Sequence, residues 1–380
     1  MKQPISMIVL ASLLSFSIGS WQSAVADTVP QPQLPLQALQ DFVNVYERVR
    51  SEHIEPRSDE ELLTLALQGL MLKLDPYSAF LDADATRALE EATSGSYVGI
   101  GLEIEPAGHH ILVITPIDGS PAQIAGIQAG DWVTHINNRS VKGLDQMAIY
   151  RLISGPEGSE VKLRIMRQGQ QLELTMQRTQ INIPSVRSEM MANQIGYLRI
   201  SQFQEQTAAE LIKHMQALHK EGAKAWLLDL RNNPGGLVDS GVAVADAFLR
   251  KGTIVSIRAR HEDGNLNYSA DAQDHSKKLP TLVLINQGSA SAAEIVAAAL
   301  QENRRAKLAG QTSFGKGSVQ SVISLDEERS IKLTTAYYYT PRGYNLNSNG
   351  IKPDYKFSGT ITSEAALEKA LDLLHKQLWA

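Results

Sequence analysis

From about residue 182 to 361 the chain alternates short apolar runs with segments of helical period, which restricts this half to a layered α/β fold with mostly buried strands. Strands are expected at 196–200 and 225–230, the second almost continuously apolar. Between them a helix is expected over 207–218, with Leu211, Met215 and Leu218 on one stripe. A glycine turn at Gly235-Gly236, a helix over 242–249, strands over 254–257 and 281–285, and a helix over 291–300 continue the pattern.

The other half reads differently. Phe42, Val45, Tyr46 and Val49 fall at helical spacing, as do Leu62, Leu63, Leu65, Ala66 and Leu70, with Ser58 and Glu61 spaced as a capping box. Leu74-Asp75-Pro76-Tyr77-Ser78 should then end a helix, because Pro76 disfavours helix at Asp75. From Tyr97 to about Gln180 short strands take over, among them 111–114, 132–136 and a hairpin of 161–166 with 172–176 turning at Gly169-Gln170. At the start, Lys2, an apolar run over 5–18 and Ala24-Val25-Ala26 before Asp27 read as a secretory signal, the run of about 14 residues being too short to span a membrane. Export from a bacterium, to the periplasm or beyond it, is expected. The organisation is therefore multidomain: signal peptide 1–26, helical domain 27–93, mostly β domain 94–180, α/β core 181–361 and C-terminal helix 362–380.

Composition excludes several function classes. With 36 basic against 41 acidic residues the net charge is −5, and no Lys/Arg block gives a nucleic-acid footprint. The absence of cysteine rules out disulfides, thiolate nucleophiles and Cys-based zinc sites. His214 and His219 are five apart and point to different helix faces, so no metal site and no cofactor are expected.

Chemistry concentrates in three turns. In Gly288-Ser289-Ala290-Ser291-Ala292-Ala293-Glu294, Ser291 sits between a buried strand and an alanine-rich helix, where free N–H groups favour an oxyanion; a plain N-cap is the other reading. In Phe314-Gly315-Lys316-Gly317-Ser318-Val319-Gln320 a desolvated lysine can act as a neutral base, and Lys316, Ser318 and Gln320 share a face if the segment is a strand. In Asp229-Leu230-Arg231-Asn232-Asn233-Pro234-Gly235-Gly236 the glycines can present N–H donors, while Asp229 and Arg231 can brace the turn. A phosphate loop at 310–316 fails because Gly317 stands where Ser or Thr should bind magnesium. Ser159-Glu160-Val161-Lys162 enters a strand, which places its serine and lysine poorly.

Two resemblances follow. Gly99-Ile100-Gly101-Leu102, Ser120-Pro121-Ala122 and the Gly126 to Asp131 turn resemble a PDZ domain, which implies capture of a terminal carboxylate on the backbone N–H groups of Gly99, Ile100, Gly101 and Leu102. With Leu74–Ser78, the three turns and Gly350-Ile351-Lys352-Pro353-Asp354, the chain resembles the carboxyl-terminal processing peptidases, or tail-specific proteases. That resemblance implies a crotonase-like (ClpP-like) α/β core with an inserted PDZ domain and a small N-terminal helical domain. It implies a serine endopeptidase cleaving proteins near their C-termini, with Ser291 as nucleophile, Lys316 as base and Gln320 orienting it. Oxyanion donors would be Ala292 and one of Gly235 and Gly236. Protein or peptide substrates are the implied partners. A homo-oligomer, an adaptor protein and peripheral membrane association stay open.

Overall fold

The computed structural model describes residues 35–379 apart from Gly108, Asp145, Ala272, Ser348 and Thr360. The expected signal segment at 1–26 lies outside the described residues. Those up to Ala66 form one compact unit and those from Leu67 onwards a second. The first holds α1 (Leu36–Glu52) and the start of α2 (Asp59–Leu74), where Ser58 and Glu61 exchange capping bonds of 2.9 and 3.2 Å. Helical period was legible there, but burial was not: Phe42, Val45 and Val49 are exposed and α1 buries no residue.

In the second unit α2 stops at Leu74, before the Asp75-Pro76 step. The chain continues through β1 (Ala79–Leu81), α3 (Ala83–Ser94) and β2 (Ser96–Gly99), with Asp82 capping α3 by accepting the Ala85 N–H at 2.9 Å. There follow β3 (Leu102–Ala107), β4 (His110–Pro116), α4 (Pro121–Ile124), β5 (Trp132–Ile136), β6 (Arg139–Ser140), α5 (Gln146–Ile153), β7 (Glu160–Arg167) and β8 (Gln170–Gln177). The strands form an antiparallel sheet ordered β3-β4-β5-β7-β8 with β6 on β5, over a core that includes Ile100, Ile111, Val133 and Leu163. The hairpin turns at Gln168-Gly169, one residue before the expected pair. Both carry positive φ, 49° and 81°, as a two-residue turn matching strand twist requires. β9 (Thr179–Asn182) then pairs with β2, so this β module leaves and rejoins the rest at one place.

The remaining elements are β10 (Val186–Met191), β11 (Ile195–Ile200), α6 (Thr207–Lys220), β12 (Ala225–Asp229), α7 (Val238–Asp246), β13 (Thr253–Ala259), β14 (Leu266–Ser269), β15 (Thr281–Ile285), α8 (Ala292–Glu302), β16 (Lys307–Gly310), β17 (Ser318–Ser324), β18 (Ser330–Tyr339), β19 (Tyr355–Lys356) and α9 (Ser363–Trp379). A six-stranded sheet ordered β10-β11-β12-β15-β16-β19 is parallel except at β10. One core joins it to α6, α7 and α8, and another, with Ala366, Ala370 and Leu374, joins it to α9. A second sheet runs β1-β18-β13-β14, with β17 along β18. α7 starts at Val238, four residues before the expected 242. Gly241 has low intrinsic helix propensity, but it sits where α7 passes close to α8: a Cβ there would lie 3.0 Å from that of Ala292.

Candidate active site

β12 and β15 are adjacent parallel strands, so the turns that leave them emerge at one edge of the sheet. The turn after β12 is braced by a buried ion cluster. Arg231 Nη2 lies 2.6 Å from Asp229 Oδ2, Arg199 Nη1 lies 3.2 Å from Oδ1, and the Tyr197 hydroxyl donates to Oδ2 at 2.8 Å. Desolvation first, and then the Asp229 charge, push the Tyr197 phenol up to about 12, which keeps it a neutral donor.

The two serines of Gly288–Ser291 separate by their bonding. Ser289 is fully buried, donates to the Leu230 carbonyl at 2.7 Å and accepts the Asn286 N–H at 3.0 Å, strapping one turn to the other. Ser291 has φ 55° and ψ −117°, a region that costs a non-glycine residue roughly 1–3 kcal/mol and is unlike the extended backbone of an ordinary N-cap. The Tyr338 phenol faces this serine, and burial pushes it up to about 12.

Donors surround Ser291. Gly235 packs so closely that a Cβ would lie 2.7 Å from that of Ser291 and 3.1 Å from the Ala292 nitrogen. The Gly235 N–H is taken by Asn233 Oδ1 at 2.8 Å. Neither the Gly236 nor the Ala292 N–H has a hydrogen-bond partner among the described residues.

Glu294, three residues into the Ser291 turn, is completely buried. Its carboxylate accepts the N–H groups of Ser291 (3.0 Å), Gly315 (2.7 Å) and Lys316 (2.9 Å) and the Ser313 hydroxyl (2.5 Å). The serine turn and the lysine loop are therefore held on one buried anion. Sequence reasoning gave Glu294 and Tyr338 no role. The available signal was a lone acid in the run 292–300, where every other residue is apolar.

Lys316 is half-buried. Desolvation and, secondarily, the Lys332 charge hold its amine below the usual lysine range, against an opposing pull from Glu294. The Gln320 amide donates to Ser318 Oγ at 2.9 Å and Thr334 Oγ1 at 3.2 Å, and its Oε1 accepts no bond from the described residues. Among those residues no hydrogen bond joins Lys316 Nζ to Ser291 Oγ. A cavity of about 640 Å³ at the far end of α8, lined by Arg304, Arg305 and Arg342, holds none of these groups.

The other expected site residues lie separately, in the β module. The carbonyls of Ile100 and Gly101 accept the N–H groups of Ala122 and Ile117, both at 2.9 Å, so the trans peptides turn the Gly101 and Leu102 N–H groups the opposite way. Gly101 has φ 72°, and a Cβ there would lie 2.3 Å from that of Ser120. Among the described residues its neighbour β3 pairs only with β4, as an edge strand of the sheet. His214 bonds Ser188, and among the described residues no group of three or more potential ligands could hold a metal.

A serine peptidase core carrying a PDZ module is the class that comparison with known proteins supports. Residues 194–357 match the model for peptidase family S41, and 112–167 match that for the PDZ domain. The chain is 40% identical over 333 residues to a carboxy-terminal-processing protease of Bartonella bacilliformis, covering 86% of this chain and 76% of the relative. It is 38% identical over 313 residues to the carboxy-terminal processing protease CtpA of Bacillus subtilis, covering 82% and 67%. Among solved structures it resembles a photosystem II D1 C-terminal processing protease, with TM-score 0.50, 30% identity and 87% and 91% of the two chains covered. The chain belongs to peptidase family S41, as a serine-type carboxyl-terminal processing protease.

Proposed function

We propose that this chain is an exported endopeptidase that cuts protein substrates near their C-termini, with Ser291 as nucleophile and Lys316 as general base. The observation that carries the reading is the backbone of Ser291: a serine that caps α8 from a strained conformation, packed against Gly235, with unpartnered N–H groups on the adjacent Ala292 and Gly236. Neutral Lys316 takes the Ser291 proton, the hydroxyl attacks the scissile carbonyl, and those two N–H groups hold the oxyanion. Lys316 as ammonium then protonates the leaving amine, and water repeats the sequence on the acyl-enzyme. Gly236 is the second donor because the Gly235 N–H already serves Asn233. Gln320 Oε1 orients the Lys316 amine in the reactive arrangement, in which Nζ comes within hydrogen-bond reach of Ser291, a contact that commonly tightens only with substrate bound.

The PDZ module takes the substrate's terminal carboxylate on the N–H groups around Gly99–Leu102, with the preceding residues as an added strand on β3. We read the core as crotonase-like and the division as signal 1–26, helical domain 27–93, PDZ domain 94–180, core 181–361 and C-terminal helix 362–380. Export rests on the sequence of the first 26 residues; no helix among the described residues is long and apolar enough to cross a membrane. The test is a steady-state assay of Ser291→Ala, Lys316→Ala and Lys316→Arg. All three should lose at least about a hundredfold in rate with folding intact. Turnover above about a hundredth of the parent in any of them would remove the dyad.

A further inference from the structure

The turn Asp75-Pro76-Tyr77-Ser78 has no part in the mechanism above, yet it lies against the lysine. Asp75 Oδ1 accepts the N–H groups of Tyr77 and Ser78 at 2.7 and 2.8 Å, and Oδ2 accepts the Ser78 hydroxyl at 2.7 Å. Burial works against the Asp75 charge, but the bonds from Ser78 and Tyr77 overcome it and hold the carboxyl below its usual range. The turn is pinned to β18: Thr334 Oγ1 donates to Asp75 at 3.2 Å and the Thr334 N–H to Ser78 Oγ at 3.1 Å. Thr334 is also the residue that receives the Gln320 amide. Pinned in this way, the turn presents the Tyr77 ring to Lys316, with Nζ 4.9 Å from its centroid.

An aromatic face attracts an ammonium and has no comparable pull on a neutral amine. We propose that Tyr77 is the positioning residue of the general base: its ring seats the protonated form of Lys316 and releases the neutral amine toward Ser291, with the Asp75 turn holding the ring in place. The proposal rests on the reading of Lys316 as base. The charged groups facing Lys316 are Lys332 from β18, which repels the ammonium, and Glu294 from α8, which favours it; the ring acts on the same side as Glu294.

The test is a carbon-13 NMR titration of the Lys316 Cε in the full chain, assigned by its loss in Lys316→Gln, alongside the pH profile of kcat/KM. Tyr77 is partly exposed, so Tyr77→Leu should fold. In Tyr77→Leu the titration midpoint should fall by about half to one pH unit, and the acid limb of kcat/KM should slide with it. Tyr77→Phe, which keeps the ring, should hold the parent midpoint, and Asp75→Asn should lower it by less than Tyr77→Leu does. A purely structural lesion would scale the profile down without sliding it. An NMR midpoint unchanged in Tyr77→Leu overturns the proposal. A midpoint that moves while Lys316→Ala stays active leaves the seat standing and removes the base assignment instead.

Discussion

Ser289 and Ser291 are two residues apart and chemically identical, yet one is a strap and the other sits on a strained backbone facing a phenol. The sequence singled out Ser291 by its place before the helix but gave no sign of the strap at Ser289, because the partners of Ser289 come from Leu230 and Asn286, one of them 59 positions away. Glu294 was hidden for the same reason: three of its four donors lie around 313–316, across a strand and a turn. Glu294→Gln substitutes an amide that cannot accept all four bonds, and should cost about 2–4 kcal/mol in denaturant unfolding together with a fall in kcat. Unchanged stability would show that the buried carboxylate is not the link between the two loops. The pH dependence follows from Lys316. Its amine titrates below the usual lysine value of about 10.4, so the rate should rise with pH through a single ionisation below that value, the neutral form being the active one. A flat profile from mild acid to alkali would exclude a lysine base, and a chelator should leave the rate unchanged.

At the scale of elements, periodicity located β15 to the residue and α6 nearly so, because β15 is apolar and buried throughout and α6 buries the stripe Leu211, Met215 and Leu218. It failed where a glycine serves packing. Gly241 interrupts the helical pattern of α7 in sequence but lets α7 approach α8 beside Ala292. Gly241→Val should force the two helices apart at a cost of about 1–3 kcal/mol in stability, and should lower kcat because the Gly236 N–H lies two residues before α7 and the Ala292 N–H begins α8. An unchanged kcat would mean that the donors are not set by this contact. Periodicity also could not say whether α1 would be buried. The stripe at Phe42, Val45 and Val49 predicts a helix, and nothing in the spacing says that it stays exposed.

On the scale of the whole molecule, the PDZ module is tied to the core by more than the β2–β9 pairing. On α5, Tyr150 bonds Glu91 and Arg151 pairs with Asp84, both on α3, and Thr86 of α3 bonds Ser330 of β18 at 3.0 Å. β18 carries Lys332, Thr334 and Tyr338, the neighbours of Lys316, Gln320 and Ser291. Amidating the C-terminus of a cleavable peptide removes the charge that the Gly99–Leu102 N–H groups are read to hold, and should weaken capture and slow cleavage by roughly tenfold or more. Equal binding and cleavage of acid and amide would rule out carboxylate recognition there. Ser291 is proposed to make this chain an endopeptidase acting near protein C-termini. Intact-mass analysis of candidate exported proteins incubated with the native chain and with Ser291→Ala tests it most directly. Products shortened from the C-terminus are expected with the native chain and none with the variant; the same products from both, or cuts spread along the substrate without relation to its C-terminus, would show that Ser291 does not do this work.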